Sequence, residues 1–547
     1  MTLEALGDSA VVVSLGSGID ESALLRARSL AAAVWRIRAP AILDVVAAFS
    51  TVAVYYDPVR FAGYSGKPFE NVCRFIQDCA AGGQFAKVDV PGRGQLLQPD
   101  PVPIEIPVCY GGDFGPDLAE LAAHCGLTPE EVCRRHWGAD YVVHAIGFVP
   151  GFPYLAGLPS GLAMPRRATP RVAVPAGSVG IGGAQTGVYP FVTPGGWQIL
   201  GRTPVQLFST ERSPPSLLQA GDRVKFRAIP AEEFERQWGH AARIDLPVGR
   251  QSLPPDAFLE VIRPGLITTV QDLGRTGYRS SGVPLSGAMD AKALRCANLL
   301  VGNAEGAAAL EITLLGPEIE FLQDGLVAVE GGGFEGVKRG EARNVRAGER
   351  LKFGACNRGC RAYLAVAGGF DVAPVLGSRS TYLRGGFGGF EGRALKAGDR
   401  LRRGRVVPCT RAEGAGTLYN LTPSPAIRAL RGAHAGEFGE PFFGVEFKVS
   451  QQSDRMGLRL SGSALQRTGG RELVSGAVVP GTVQIPPDGQ PIVLAADAQT
   501  IGGYPQAAHV IAADLPLLGQ LRPGDSVVFK EVTLTEAHAA LLPPAVG

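Results

Sequence analysis

The sequence has little of what metal, disulfide and nucleic-acid proteins display. Its 547 residues include 7 histidines, 9 cysteines, 4 methionines and 4 tryptophans. The cysteines (73, 79, 109, 125, 133, 296, 356, 360 and 409) are odd in number and form no C-x-x-C pair. No histidine joins them at zinc-finger spacing, so a zinc ribbon and a disulfide scaffold are excluded. Free thiols of this kind fit a reducing, cytoplasmic compartment. Charge of one sign is lacking too: 53 Lys and Arg face 51 Asp and Glu, with no basic block. No nucleic-acid partner is expected from that balance. The first residues carry early acids and no basic n-region, so no secretory leader is read. Residues 172–201 hold no charge, but eight glycines and three prolines make a spanning helix there implausible, and no membrane segment is expected.

Several strong motifs are missing as well. There is no G-x-x-x-x-G-K-[ST], no H-E-x-x-H, no EF-hand loop and no G-x-S-x-G elbow, which removes the simplest nucleotide, zinc, calcium and serine-hydrolase readings. No methionine flanks a lysine, so the chain has no biotin attachment site of the Met-Lys-Met kind. No Gly-Gly-Ser-Ser-Gly amidase signature occurs either. No metal ligand set is assigned.

What is abundant is glycine (74) and proline (42), about a fifth of the chain against roughly 12% in average proteins. That excess excludes long helices and coiled coils and predicts turns and short strands. The 45% hydrophobic content supports packed cores, and at about 150 residues per domain the length allows three or four domains. Helices are expected over Ser22–Arg36, about Phe69–Ala80, Thr128–His136 (with a Thr128/Glu131 capping box), Glu232–His240 and Ala291–Val301 (capped by Asp290), each from its period or cap. Residues 45–56 alternate like a strand.

A repeat runs through the rest. Leu218-Gln-Ala-Gly221-Asp222, Val345-Arg-Ala-Gly348-Glu349, Leu395-Lys-Ala-Gly398-Asp399 and Leu521-Arg-Pro-Gly524-Asp525 each lead into alternating apolar residues. The glycine suits a positive φ in a turn, and the alternation suits a half-buried strand. A second echo pairs Val174–Ile181 with Val479–Ile485; Gly177 lies 44 residues before Gly221, and Gly481 lies 43 before Gly524. Matching motif and spacing predict two copies of one β-barrel.

Site-like chemistry gathers in a few segments. His144 to Leu155 packs Phe148, Phe152 and Tyr154 among glycine and proline, a stiff aromatic loop or a structural turn. Arg166, Arg167 and Arg171 stand beside the charge-free wall that ends in Gly195-Gly196-Trp197 and Arg202. Forked arginine donors and free backbone N–H groups suit a carboxylate or phosphate. Ser453-Asp454-Arg455-Met456-Gly457, with Arg459, is a polar cluster; Asp488 sits in a Pro-Pro-Asp-Gly turn; Asp497 precedes Gly502-Gly503-Tyr504. For each of these acids a structural salt bridge or turn role competes with a ligand role.

These motifs carry a resemblance. Tyr110–Leu118, Gly147–Leu155, Pro165–Pro170, Gly177–Gly183 and Pro194–Thr203 resemble the B subunit of 5-oxoprolinase, the KipI or allophanate hydrolase subunit 1 family. Thr269–Arg275, Ser286–Asp290, Ala297–Asn303, Leu310–Pro317, Gly377–Thr381, Ser453–Gly457 and Gly502–Tyr504 resemble the C subunit of 5-oxoprolinase, the KipA or allophanate hydrolase subunit 2 family. The whole looks like a B–C fusion related to the carboxyltransferase domain of urea carboxylase. The resemblance implies a mainly β fold. A small α/β domain (1–91) would precede a cyclophilin-like barrel (104–227), a linker (228–258) and two further cyclophilin-like barrels (259–410 and 411–547). It implies a component of an ATP-dependent 5-oxoprolinase, working in the cytoplasm with a separate A subunit on a lactam substrate. ATP is the expected cofactor, with or without Mg²⁺, and a homo-oligomer is open. Under this reading Arg167 and Arg455 clamp the transferring group, with Asp497 and Asp488 as catalytic carboxylates. Substrate contacts fall to His144, Phe148, Phe152, Tyr154, Arg166, Arg202, Arg459 and Tyr504, and to the backbone at Gly182, Gly183, Gly195, Gly196, Gly502 and Gly503. Two alternatives stay open: a biotin-dependent carboxyltransferase whose carrier sits on another chain, and a non-enzymatic regulator of a histidine kinase.

Overall fold

A computed structural model describes residues 1–62, 67–82, 102–244, 256–406, 426–439, 441–469 and 473–542. Residues 91–101 and 410 at the expected boundaries, and 245–255 of the expected 228–258 linker, lie outside these; the described part of that linker holds helix Ala231–Ile244. The fold is mixed α/β with more strand than helix.

At the N-terminus, Thr2–Ala5, Ala10–Ser14, Thr51–Tyr56 and Ile42–Ala48 form a four-stranded antiparallel sheet in that order. The alternating stretch at 45–56 is therefore two strands, not one. Phe49, at φ 54°, turns the chain between them. Helix Glu21–Arg36 starts where the Asp20 carboxylate accepts the Ala23 N–H at 2.7 Å. It packs Leu30 and Val34 with Val11, Val13, Val52, Val54 and, from helix Pro68–Ala81, Ile76. The other face of the sheet is buried as well: Leu6, Ala10, Val46 and Tyr55 pack on Ala477 and Val479.

Two closed seven-stranded barrels follow the same plan. In the first, the strands Ile104–Tyr110, Gln198–Arg202, Ser178–Gly182, Gln185–Val188, Pro153–Ala156, Tyr141–Ile146 and Arg223–Ala228 run around the wall in that order. In the second, Ala426–Arg431, Gln506–Val510, Thr482–Gln484, Ile492–Leu494, Gly457–Ser461, Glu446–Val449 and Ser526–Glu531 do so. In chain order both read first, sixth, fourth, fifth, third, second, seventh. In both, the first and last strands are parallel, pairing Ile104 with Val224 and Ala426 with Val528. The echoed segments supply the fourth strand of each barrel, and the Gly221-Asp222 and Gly524-Asp525 turns open the seventh. Closure leaves neither barrel a free sheet edge. Alternate residues such as Ile106, Val143, Ile181 and Phe226 fill the first core; Ile427, Phe447, Val483 and Phe529 fill the second.

The expected third barrel is not closed. Between the two barrels lie a four-stranded sheet (Arg350–Lys352, Glu318–Phe321, Leu259–Arg263, Arg400–Leu401) and a five-stranded sheet (Ile267–Gln271, Ala309–Thr313, Cys356–Val366, Gly325–Phe334, Ala342–Val345). They share one core, including Phe258, Val329, Phe334 and Phe353. Among the described residues no backbone ladder joins strand 342–345 to strand 350–352. The Arg343–Glu349 ion pair, at 2.8 Å, spans that gap instead. The other edge strand of the four-stranded sheet, Arg400–Leu401, is two residues long, too short to zip the sheets together.

The helix expectations hold with shifted ends. Helix Ala291–Leu300 is capped by Asp290 on the Ala293 N–H at 2.9 Å. Thr128 caps helix Pro129–Gly138, but the expected capping box is half made: the Glu131 carboxylate turns to Arg134 (2.7 Å) and Arg135 (2.6 Å).

Candidate functional site

The aromatic loop of the first barrel is an interface between the chain's two halves. Phe148 holds a positive φ of 66° and Gly151 one of 80°, which curls 147–152 tightly enough to dock. The Gly151 N–H donates to the Ser281 carbonyl at 2.9 Å. At Gly147 a Cβ would stand 2.7 Å from Ile501, so glycine is required there. Phe152 and Tyr154 pack edge-on against each other, and both against Trp197 (5.0 to 6.0 Å between centroids). Ile501 completes this cluster from the C-terminal half.

Polar groups collect at the edge of the cluster. The buried Tyr154 hydroxyl hydrogen-bonds with Ser475 of the C-terminal half, and burial raises its pKa. The exposed Arg166 guanidinium stands 3.5 and 3.7 Å from where a Gly503 Cβ would be, and Ser475 Oγ stands 3.1 Å from the same point. Gln484 and Gln499 crowd Gly502 in the same way. Two buried polar atoms around this seam, Gln484 Nε2 and Thr500 Oγ1, lack a hydrogen-bond partner; so does His144 Nδ1, whose ring lies on Phe49 at 5.9 Å. Burial lowers the His144 pKa, so its ring is neutral at pH 7. Orphaned buried polar groups cost on the order of 1–3 kcal/mol each, so a polar ligand that satisfies them gains that much. A cation without a carboxylate partner among the described residues, beside neutral amide donors, suits a small molecule with a carboxylate and a carbonyl.

The structure thus brings Phe152, Tyr154, Arg166, Gly502 and Gly503 to one seam, while His144 reaches the aromatic cluster through Phe49, 5.9 Å from its ring. Phe148 lies against Phe152 at 5.5 Å, and Tyr504 is partly exposed next to Gly503. Four glycines prove to be packing requirements or turns. A Cβ on Gly182 would meet the Trp197 indole at 2.7 Å, and one on Gly195 the Tyr189 hydroxyl at 2.5 Å. Gly183 has φ 63° and donates its N–H to Met164 O, while Gly196 O accepts the Arg167 N–H.

The other expected residues have partners or stand elsewhere. Arg455 is buried and fully engaged: Nε and NH2 bind Asp497 at 2.9 and 3.1 Å, NH1 binds Glu311, and NH2 also donates to Gly287 O at 2.6 Å. Burial opposes its charge, but Asp497 and Glu311 outweigh that and raise its pKa. Arg167 braces Asp117 at 3.1 Å, a carboxylate that also takes Arg171 and the Ile199 N–H. Arg202 donates to Ala176 O at 2.7 Å and stacks 4.4 Å from Trp238. Asp488 is an exposed turn residue that accepts the Gln490 N–H at 3.1 Å. Arg459 is exposed on strand Gly457–Ser461. In this state of the molecule Arg455 and Asp497 hold each other.

Ser475 and Gln484 were not singled out in the sequence, and nothing local marks them. Arg275 closes the Thr269–Arg275 motif and has no role assigned to it by the sequence. It is 1% exposed, stacks 5.1 Å from Phe387, and leaves Nε and NH1 unpartnered. Among the described residues no group of three or more His, Cys, Asp or Glu side chains stands ready for a metal, and no helix is long and apolar enough to cross a membrane.

Comparison with known proteins gives this architecture a class. Residues 1–218 match the model for the carboxyltransferase domain, subdomains C and D, and residues 281–531 match that for subdomains A and B. Two barrels meeting at a polar seam are therefore the two halves of a carboxyltransferase-type domain. The chain is 47% identical over 293 residues to the C subunit of 5-oxoprolinase from Escherichia coli (strain K12), covering 52% of this chain and 94% of that one. It is 42% identical over 236 residues to the B subunit of 5-oxoprolinase from Bacillus subtilis (strain 168), covering 42% and 94%. The crystal structure of TTHA0988 superposes with a TM-score of 0.79 at 35% identity, over 95% of this chain and 99% of that one. The chain belongs to the family of 5-oxoprolinase B and C subunits, and joins the two in one polypeptide.

Proposed function

We propose that this chain is the B–C component of an ATP-dependent 5-oxoprolinase, which opens the lactam of 5-oxo-L-proline to L-glutamate together with a separate A subunit. The homology to both the B and the C subunits supports this reading. The observation that carries it is the seam, where Tyr154 and Arg166 from one half face Ser475, Gln484 and Gly503 from the other. The substrate has two handles, a carboxylate and a ring amide. Arg166 takes the first; Gln484 Nε2 and the Thr500 hydroxyl suit the lactam oxygen. A five-membered lactam is a stable amide, and transfer of a phosphoryl group to its oxygen makes the ring carbon a better electrophile. That accounts for the ATP, with Mg²⁺ as its usual companion.

The test is glutamate and ADP formation by the purified chain with the A subunit, in the presence and absence of 5-oxo-L-proline. Arg166→Ala should fold normally, since the side chain is exposed and has no carboxylate partner among the described residues, while kcat/KM falls at least about tenfold through loss of the carboxylate contact. Full activity in that variant, or wild-type turnover indifferent to 5-oxo-L-proline, would sink the reading. A carboxyltransferase working with a biotin carrier from another chain is the second reading. It is favoured by the 35% identity over 305 residues to the urea amidolyase of Saccharomyces cerevisiae, of which the match covers 16%. Avidin would block turnover under that reading and leave a lactamase untouched.

A further inference from the structure

A short ribbon of the second barrel ties the two halves together. Strand Gly476–Ala477 pairs with Ile501–Gly502, with Gly476 opposite Gly502 and Ala477 opposite Ile501. Extending that register by one residue sets Ser475 opposite Gly503. Both strands are pinned to the first half. Ile501 sits in the aromatic cluster, Ala477 packs on the N-terminal sheet, and the Tyr55 hydroxyl donates to Val478 O at 3.2 Å. Ser475 is 4% exposed and shares a hydrogen bond with the Tyr154 hydroxyl. Its place is therefore fixed before any ligand arrives, which spares the cost of ordering it on binding.

Across the seam, the backbone around Arg166 is held while its side chain is not. Pro165 O accepts Gln198 Nε2 at 3.1 Å, and the Arg167 N–H donates to Gly196 O at 2.7 Å. The Arg166 guanidinium is exposed and pairs with no carboxylate among the described residues. Gly503 supplies the room between the two walls. The point where its Cβ would stand is 3.1 Å from Ser475 Oγ and 3.5 and 3.7 Å from the two terminal nitrogens of Arg166. Gly503 does not hold a positive φ, so what its missing side chain provides is space. A forked cation and a hydroxyl that reach one small space suit a carboxylate. A hydroxyl carries one donor and two acceptor sites. With the Tyr154 O–H donating to Ser475 Oγ, the Ser475 O–H is left to donate onward, and the chain of two bonds strengthens it.

We propose that Ser475 is a substrate-binding residue that completes the carboxylate clamp begun by Arg166, with Tyr154 as its positioning residue and Gly503 as the residue that keeps the clamp open. Resting on the functional reading above, this gives the substrate carboxylate one contact from each half of the chain. Selectivity follows: the clamp favours a lactam that carries a carboxylate over one that does not.

The test is ligand-observed NMR titration of the full chain with three probes: 5-oxo-L-proline, 2-pyrrolidinone, which lacks the carboxylate, and cyclopentanecarboxylate, which lacks the lactam. Ser475→Ala should weaken both carboxylates about tenfold and leave 2-pyrrolidinone unchanged. Gly503→Ala, whose methyl fills the clamp on a backbone that accepts alanine, should do the same. Tyr154→Phe keeps its ring in the aromatic cluster and should cost about threefold, with nothing further lost in the Ser475→Ala background, since Tyr154 acts through Ser475. Equal weakening of 2-pyrrolidinone by Ser475→Ala, unchanged carboxylate affinity in both Ser475→Ala and Gly503→Ala, or no carboxylate binding by wild type overturns the proposal. The expected binding pattern without glutamate or ADP formation in the presence of the A subunit leaves the clamp standing and removes the lactamase reading.

Discussion

Replacing Arg455 with methionine isolates what the buried ion cluster does for the fold. The side chain is 8% exposed and answers two carboxylates, Asp497 (2.9 and 3.1 Å) and Glu311. Met456 and Leu458 already show that the segment accepts apolar neighbours. The loss is therefore one of charge compensation rather than volume. Removing one partner of a buried pair costs about 3–5 kcal/mol. A barrel-sized unit unfolds in urea with a slope of about 2 kcal/mol per molar, so the midpoint should drop by about 2 M. The chain offers a built-in way to localise the effect. Its four tryptophans, at 35, 137, 197 and 238, all lie in the N-terminal half. Far-UV circular dichroism should show a new early transition that tryptophan emission follows in part, because Trp35 lies against Gly277 and Trp197 shares a cluster with Ile501, while Trp137 and Trp238 pack within the N-terminal half. Adding Asp497→Asn should recover part of the loss, because the remaining acid, Glu311, keeps Arg361 at 3.8 Å. A midpoint shift below about 0.5 M by both probes would falsify the charge-compensation argument.

Two further outcomes follow from single contacts. Gly182→Ala places a methyl 2.7 Å from the Trp197 indole; the overpacking should cost about 1–3 kcal/mol, lower the thermal midpoint, and alter tryptophan emission, and an unchanged spectrum and midpoint would show that the indole yields freely. Burial raises Asp44 from 3.8 to about 6, against Arg279 and the Gly277 N–H. The folded state then holds a proton that the unfolded chain releases, so this group's stabilisation is complete below about pH 4 and is lost as pH rises through about 6. The thermal midpoint of wild type should fall relative to that of Asp44→Asn across this window, and parallel curves would refute it.

Much of the fold was legible because it is local. Gly221-Asp222 and Gly524-Asp525 are turns, and the alternation after them sets which side chains face inward. The same signal at Gly348-Glu349 and Gly398-Asp399 misled about closure. A turn fixes where a strand starts, not whether its outer edge finds a partner. Here Arg350–Lys352 and Arg400–Leu401 are short strands, and an ion pair takes the place of the ladder. The site was half legible for a related reason. Residue type marked Arg455 and Asp497 as important, yet Glu311, 144 residues away, has no local signature. That third charge gives Arg455 a second carboxylate partner.

The duplication explains what the two Gly-Gly-aromatic segments share. Gly195-Gly196-Trp197 and Gly502-Gly503-Tyr504 each enter the sixth strand of their own barrel, Gln198–Arg202 and Gln506–Val510. They are the same loop in two copies. In the structure two side chains link the copies: Trp197 packs on Tyr154 at 6.0 Å, Tyr154 hydrogen-bonds with Ser475, and Ser475 lies against Gly503. Each loop alone is a glycine turn beside an aromatic, which many barrels have. Facing its copy, it gains Arg166 from one side and Gln484 from the other. Neither half alone assembles that polar seam. Physical joining of the halves therefore does more than fix their ratio: it keeps both walls of the seam at a high effective concentration in every molecule.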